Sequence, residues 1–111
     1  MLDRKEYDRF RVAPLDPAEL RARDVERLLK QVAGNSNGRL TYEKFAESLE
    51  DRPIYLARIG QGPKRVLLWS QMHGDEPTHT AVLLDLASYL LQQPALPLAA
   101  AILANCTLHF I

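Results

Sequence analysis

KRVLLWSQMHGDEPTHTAVLLDLASYLL, residues 64–91, is the stretch from which the rest of the chain is best read. An apolar run at 66–69 breaks at Ser70-Gln71-Met72-His73-Gly74. A long helical pattern follows, starting near Glu76-Pro77. A buried strand that feeds a helix through a short polar turn is where an α/β protein usually carries its chemistry. This turn holds His73 and Glu76, an imidazole and a carboxylate with two residues between them. Zinc, a borderline cation, favours that ligand mixture. Gly74 is expected to supply a backbone conformation with positive φ. Pro77 suits the first helical turn, where its missing amide leaves no acceptor unpaired. The same tetrapeptide has a plainer reading: Glu76 favours the positive end of the helix, and His73 is a satisfied turn residue.

The motif, standing as Gln71-Met72-His73-Gly74-Asp75-Glu76-Pro77-Thr78 behind Val66-Leu67-Leu68-Trp69, resembles the zinc carboxypeptidase (metallocarboxypeptidase) family. In that family a His-x-x-Glu motif, often His-Gly-x-Glu, supplies the first two zinc ligands. Upstream, Glu50-Asp51-Arg52-Pro53-Ile54-Tyr55 is similar to the hairpin the family places before that strand, with Asp51 where a glycine is usual. The resemblance covers residues 25–111. It implies Zn2+ as cofactor, His73 and Glu76 as metal ligands, and hydrolysis of a C-terminal peptide bond in a peptide or peptide-like substrate. It also implies that the third ligand, the substrate-binding arginines and the catalytic glutamate lie downstream of Ile111. No catalytic residue is therefore expected within these 111 residues, which read as part of a longer enzyme and as inactive alone. Two other readings stay open. A zinc amidohydrolase similar to aspartoacylase or succinylglutamate desuccinylase uses the same motif on N-acyl amino acids. A non-catalytic, truncated domain would only bind a partner.

Outward from the motif, the periodicity predicts an α/β fold: a mixed sheet, with an antiparallel hairpin leading into parallel strands, flanked by helices. Residues 40–47 and 54–59 alternate as strands, and Gly60-Gln61-Gly62-Pro63 forms a tight connection. The continuous apolar run 66–69 is expected to be a central strand. Residues 78–93 form a helix that is apolar on more than half its circumference, and Pro94 and Pro97 stop it. Residues 101–111 read as a last strand, richest in β-formers at 107–111. Asp16-Pro17-Ala18-Glu19 is expected to start a helix, with Asp16 as cap and Glu19 reaching back. Leu20, Val25, Leu28, Leu29 and Val32 give that helix its apolar stripe, and Gly34 ends it. Residues 1–12 are expected to be mobile or loosely docked. The domain division is thus an extension at 1–15 and the partial carboxypeptidase-like domain at 16–111.

Asn35-Ser36-Asn37-Gly38 imitates half an EF-hand loop. The register puts Ala33 and Lys44 where calcium needs carboxylates, so it is read as a turn into a strand. Ser70 lacks the surroundings of a nucleophile elbow. Cys106 reads as inert core, His109 as a packed or edge-exposed strand residue, and Asp75 as a solvated turn carboxylate that could otherwise orient His73. His79 extends the motif to His-x-x-Glu-x-x-His and reads as a polar residue near the site's mouth or, less simply, as a further ligand.

Composition bounds the remaining classes. Fourteen Lys plus Arg balance fourteen Asp plus Glu, so no whole-chain field draws the protein to nucleic acid or to an anionic membrane. One cysteine excludes an internal disulfide and a Cys-rich zinc site. The charged first twenty residues carry no visible secretory signal, which makes a cytoplasmic location the expectation. An open apolar sheet edge at the chain's end is expected to promote self-association.

Overall fold

The computed structural model describes residues 3–92 and 95–111. Among them, four strands make one sheet: β1 (Leu40–Glu47), β2 (Pro53–Ile59), β3 (Lys64–Leu68) and β4 (Cys106–Phe110), in the order β1-β2-β4-β3. β1 and β2 form the expected antiparallel hairpin, with Leu40 opposite Ile59 and Glu47 opposite Pro53. Its turn places Asp51 at φ 57°. That left-handed conformation is one that glycine adopts freely and aspartate tolerates better than most residues. β4 then pairs antiparallel with β2 and parallel with β3. The sheet is therefore mixed, and the α/β class follows.

Four helices accompany it: α1 (Arg4–Phe10), α2 (Ala22–Gly34), α3 (Thr78–Leu90) and α4 (Pro97–Asn105). Leu28, Leu29 and Val32 of α2 and Leu84, Ala87 and Leu90 of α3 bury with Ile59, Leu108 and Phe110 of the sheet. Each of these side chains except Ala87 stabilises the fold by about 1.5–3 kcal/mol when fully buried.

Five expectations are corrected. First, the strand after Gly62 is not central. Leu108 and Phe110 of β4 are buried, whereas Val66 and Leu67 of β3 are exposed at the sheet edge. Second, the last strand begins at Cys106, because residues 97–105 are helical. Pro97 opens that helix instead of stopping the previous one, since its fixed φ suits a first helical position and the alanine-rich run behind it has high helix propensity. Third, α3 ends at Leu90; Gln93 and Pro94, to which the helix and its stop were assigned, lie outside the described residues. Fourth, Asp16-Pro17-Ala18-Glu19 makes only a 3-10 turn, Pro17–Glu19, in which the Asp16 carboxylate accepts from the Ala18 amide. α2 starts after Leu20 breaks the run, and Asp24, not Glu19, reaches back to the Arg21 amide.

Fifth, the described residues of the 1–12 segment are docked. Asp3 and Glu6 form a reciprocal capping box that starts α1. Phe10 is buried edge-on against Tyr89. The clasp is Asp85, a buried carboxylate on α3. It accepts from the amides of Val12 (2.8 Å) and Ala13 (2.9 Å) and from the Tyr7 hydroxyl. These donors meet the hydrogen-bonding need of a buried acceptor that would otherwise cost several kcal/mol.

Burial and the adjacent Asp85 carboxylate push the Tyr7 hydroxyl up to about 12. The folded chain thus holds this proton more tightly than the unfolded one. The clasp's contribution is complete below about pH 10, the ordinary tyrosine value, and is lost as pH rises through about 12. Stability is expected to fall between these limits by less in Tyr7→Phe than in the wild type. Urea midpoints at pH 8, 10 and 11.5 measure the difference; parallel losses in both proteins would contradict it.

The connection Gly60-Gln61-Gly62-Pro63 carries the chain from β2 across the start of β4 to β3. The Gln61 amide donates to Leu103 O, the Gly62 amide donates to Cys106 O at 3.1 Å, and the Thr107 hydroxyl donates to Gly62 O at 2.8 Å. A side chain at either glycine would meet backbone at the junction of α4 and β4: a Cβ on Gly60 would lie 2.3 Å from Cys106 O, and one on Gly62 1.9 Å from the Asn105 carbonyl carbon. No helix among the described residues is long and apolar enough to cross a membrane.

Candidate metal centre

The corner between β3 and α3 is built in three steps. β3 continues its parallel pairing one step past its end: Ile111 N–H donates to Leu68 O (2.9 Å) and Ser70 N–H donates to Ile111 O (2.7 Å). Gln71 then turns the chain with φ 49°. The positive φ expected at Gly74 therefore belongs to Gln71, and a Cβ at Gly74 would meet nothing within 4 Å. Finally the Glu76 amide donates to His73 O (3.1 Å), which closes the turn directly ahead of α3. Pro77 stands at the helix boundary, and its carbonyl accepts the first helical bond, from Ala81.

This backbone brings His73 and Glu76 together. Nδ1 of His73 lies 3.2 Å from Oε2 of Glu76, and the two side chains are 69% and 60% exposed. They reach each other and open solvent. With metal–ligand bonds of about 2.0–2.1 Å, two ligands on one tetrahedral ion stand about 3.3 Å apart. The pair stands at about that spacing through its direct hydrogen bond, whose proton an ion would replace, and an imidazole nitrogen with a carboxylate oxygen is a donor set that zinc accepts.

The other candidates do not join them. Among the described residues, no third His, Cys, Asp or Glu gathers with the pair. His79 is exposed on the first turn of α3, and Asp75 is exposed in the loop while His73 bonds to Glu76 instead. His109 sits mid-strand in β4, opposite Arg58 and Leu67. Cys106 is a free, half-buried thiol at the start of β4. The hydroxyl of Ser70 donates to Ile111 O at 3.3 Å and serves the architecture of the corner.

Two residues of the corner were not legible as functional in the sequence. The Gln71 carboxamide donates from Nε2 to Gly74 O at 2.9 Å, and its Oε1 accepts from the hydroxyl of buried Thr80 at 3.0 Å. No periodicity marks these side chains. Their pairing follows from the left-handed turn at Gln71, which local sequence did not predict. Behind them an apolar cavity of about 490 Å³ opens between the helices and the sheet, with Trp69, Ser70, Gln71, Leu83 and Phe110 in its wall.

Residues 25–111 match the family model described as zinc carboxypeptidase. No curated protein matches the chain.

Proposed function

Because this chain belongs to the zinc carboxypeptidase family, we propose that its β3–α3 corner supplies two ligands, His73 and Glu76, to the zinc centre of a metallocarboxypeptidase acting on a peptide or peptide-like substrate. The observation that carries this reading is the 3.2 Å approach of His73 Nδ1 to Glu76 Oε2 at a strand-to-helix corner. When bound there, zinc would supply Lewis acidity toward a scissile carbonyl and toward the attacking water.

The chain's own residues bind and orient. His73 would offer the Nδ1 lone pair once the proton it shares with Glu76 leaves, and Glu76 would offer an oxygen from the residue just before Pro77 and α3. The hydrogen-bonded turn fixes the two donors relative to one another. Both are assigned to holding the ion, so neither acts as general base. A catalytic zinc centre uses three protein ligands and keeps a fourth position open, so the remaining ligand and the proton-transfer group come from residues other than this pair.

Zinc titration of the chain, followed by amide and imidazole NMR shifts, tests the assignment. Perturbations are expected to centre on residues 71–80, and His73→Ala or Glu76→Ala is expected to weaken binding at least about 10-fold, the usual scale for groups that hold or orient a metal. Perturbations centred on His109, or affinity unchanged in both variants, would remove the pair from the metal.

A further inference from the structure

His73 and Glu76 bond only to each other among the described side chains, and both are largely exposed. Their shared geometry is therefore set by the loop that carries them. Inside that loop one side chain spans the turn. The Gly74 carbonyl can only accept, so the Gln71 carboxamide must present Nε2 to it and direct Oε1 toward Thr80. Thr80 is 7% exposed on the first turn of α3, and its Oγ1 also lies 2.9 Å from Ser70 Oγ. Ser70 is in turn held to Ile111 O by both its amide and its hydroxyl. Ser70 gives its hydroxyl proton to Ile111 O, so the single Thr80 proton is shared between Gln71 Oε1 and Ser70 Oγ, and the polar groups line up from the ends of β3 and β4 to Gln71 and the middle of the loop. Gln71 keeps a backbone conformation that an L residue adopts only when its surroundings hold it there.

We propose that Gln71 is the positioning residue of this corner: its carboxamide ties the loop at Gly74 to Thr80 of α3 and so fixes the shape in which His73 Nδ1 and Glu76 Oε2 face one point. The proposal rests on the reading of that pair as metal ligands. Groups that orient ligands without touching the metal commonly change affinity by about 10–100-fold when removed. Gln71 acts by pre-organising the pair before the ion arrives.

The test separates side chain from backbone. Gln71→Ala removes the tether and keeps the strained φ; Gln71→Gly removes the tether and relieves the strain. Both are expected to weaken zinc binding about 10-fold. Thr80→Val is expected to weaken it in the same direction, while Thr80→Ser, which restores the hydroxyl, returns it to near wild type. A metal-free readout accompanies these: amide hydrogen exchange at Glu76, whose N–H closes the turn onto His73 O, is expected to accelerate in both Gln71 variants. Zinc affinity in Gln71→Gly equal to or above wild type overturns the proposal, because backbone shape alone would then suffice. Accelerated exchange with unchanged affinity also overturns it. If His73→Ala leaves zinc binding intact, the metal reading falls, and the exchange data alone decide whether the tether orders the loop. If His73→Ala abolishes binding while every Gln71 variant behaves as wild type, the metal reading stands and the tether falls.

Discussion

Gly62→Ala is expected to destabilise the chain by more than about 3 kcal/mol, above the usual range for an overpacked core site. The new Cβ would stand 1.9 Å from the Asn105 carbonyl carbon and 2.1 Å from the Cys106 nitrogen. Both obstacles are backbone, so no side-chain rotamer relieves the clash. The strand that would have to move is β4, which lies between β2 and β3 and pairs with each. Shifting it breaks two ladders together with the 3.1 Å bond from the Gly62 amide to Cys106 O. Set against a total stability of about 5–15 kcal/mol for a typical domain, that loss is a large fraction. Urea unfolding followed by far-UV circular dichroism measures it. Gly74→Ala is the control, with no atom within 4 Å and no left-handed φ to strain. It is expected to remain within about 1 kcal/mol of wild type. A Gly62→Ala midpoint close to the control's would mean that the connection does not cross β4 so closely.

The second large effect is on catalysis. The 111 residues with added zinc are expected to hydrolyse a blocked dipeptide no faster than free zinc does. Peptide hydrolysis at such a centre needs a third ligand, a cation that binds the terminal carboxylate, and a base that activates water. The described residues bring no third acidic, histidine or cysteine side chain to the pair. Glu43 and Glu47 belong to β1, and Glu50 to the turn that follows it, whereas the His73 loop leaves β3 at the opposite edge of the sheet. Three strand spacings of about 4.8 Å separate those edges. Loss of one electrostatic stabiliser commonly costs about 100–1,000-fold in rate. Turnover above free zinc that disappears in His73→Ala would show a complete site within these residues.

What could be read in advance was whatever depends on near neighbours in sequence. The hairpin β1–β2, the strand-turn-helix of β3 and α3, and the meeting of His73 with Glu76 all involve side chains a few residues apart. Strand order was not of that kind. Apolarity along 66–69 suggests a central position, but composition does not say which strand lies beside which. The two glycines let the β2–β3 connection pass against β4, and the crossover through α3 and α4 brings β4 in beside β2. Pro97 looks like a stop in the sequence, but its position within a helix, first or interior, decides the sign of its effect. Residue type favours Gly74 for the left-handed conformation, whereas Gln71 adopts it with its carboxamide bonded to Gly74 and Thr80. α1 leaves no local signal of its docking, because its anchor, Asp85, stands 78 residues from Tyr7.

That anchor makes the unit of folding longer than the unit of kinship. The part shared with the family begins at residue 25, and all three donors to Asp85 precede it: Tyr7, Val12 and Ala13. A chain trimmed to the shared boundary would keep the carboxylate and discard everything that neutralises its burial. It would also uncover Tyr89, against which Phe10 packs. Excision at the family border would therefore behave as a lesion inside the domain, and a useful cut would have to fall before Asp3, where the first helix is capped.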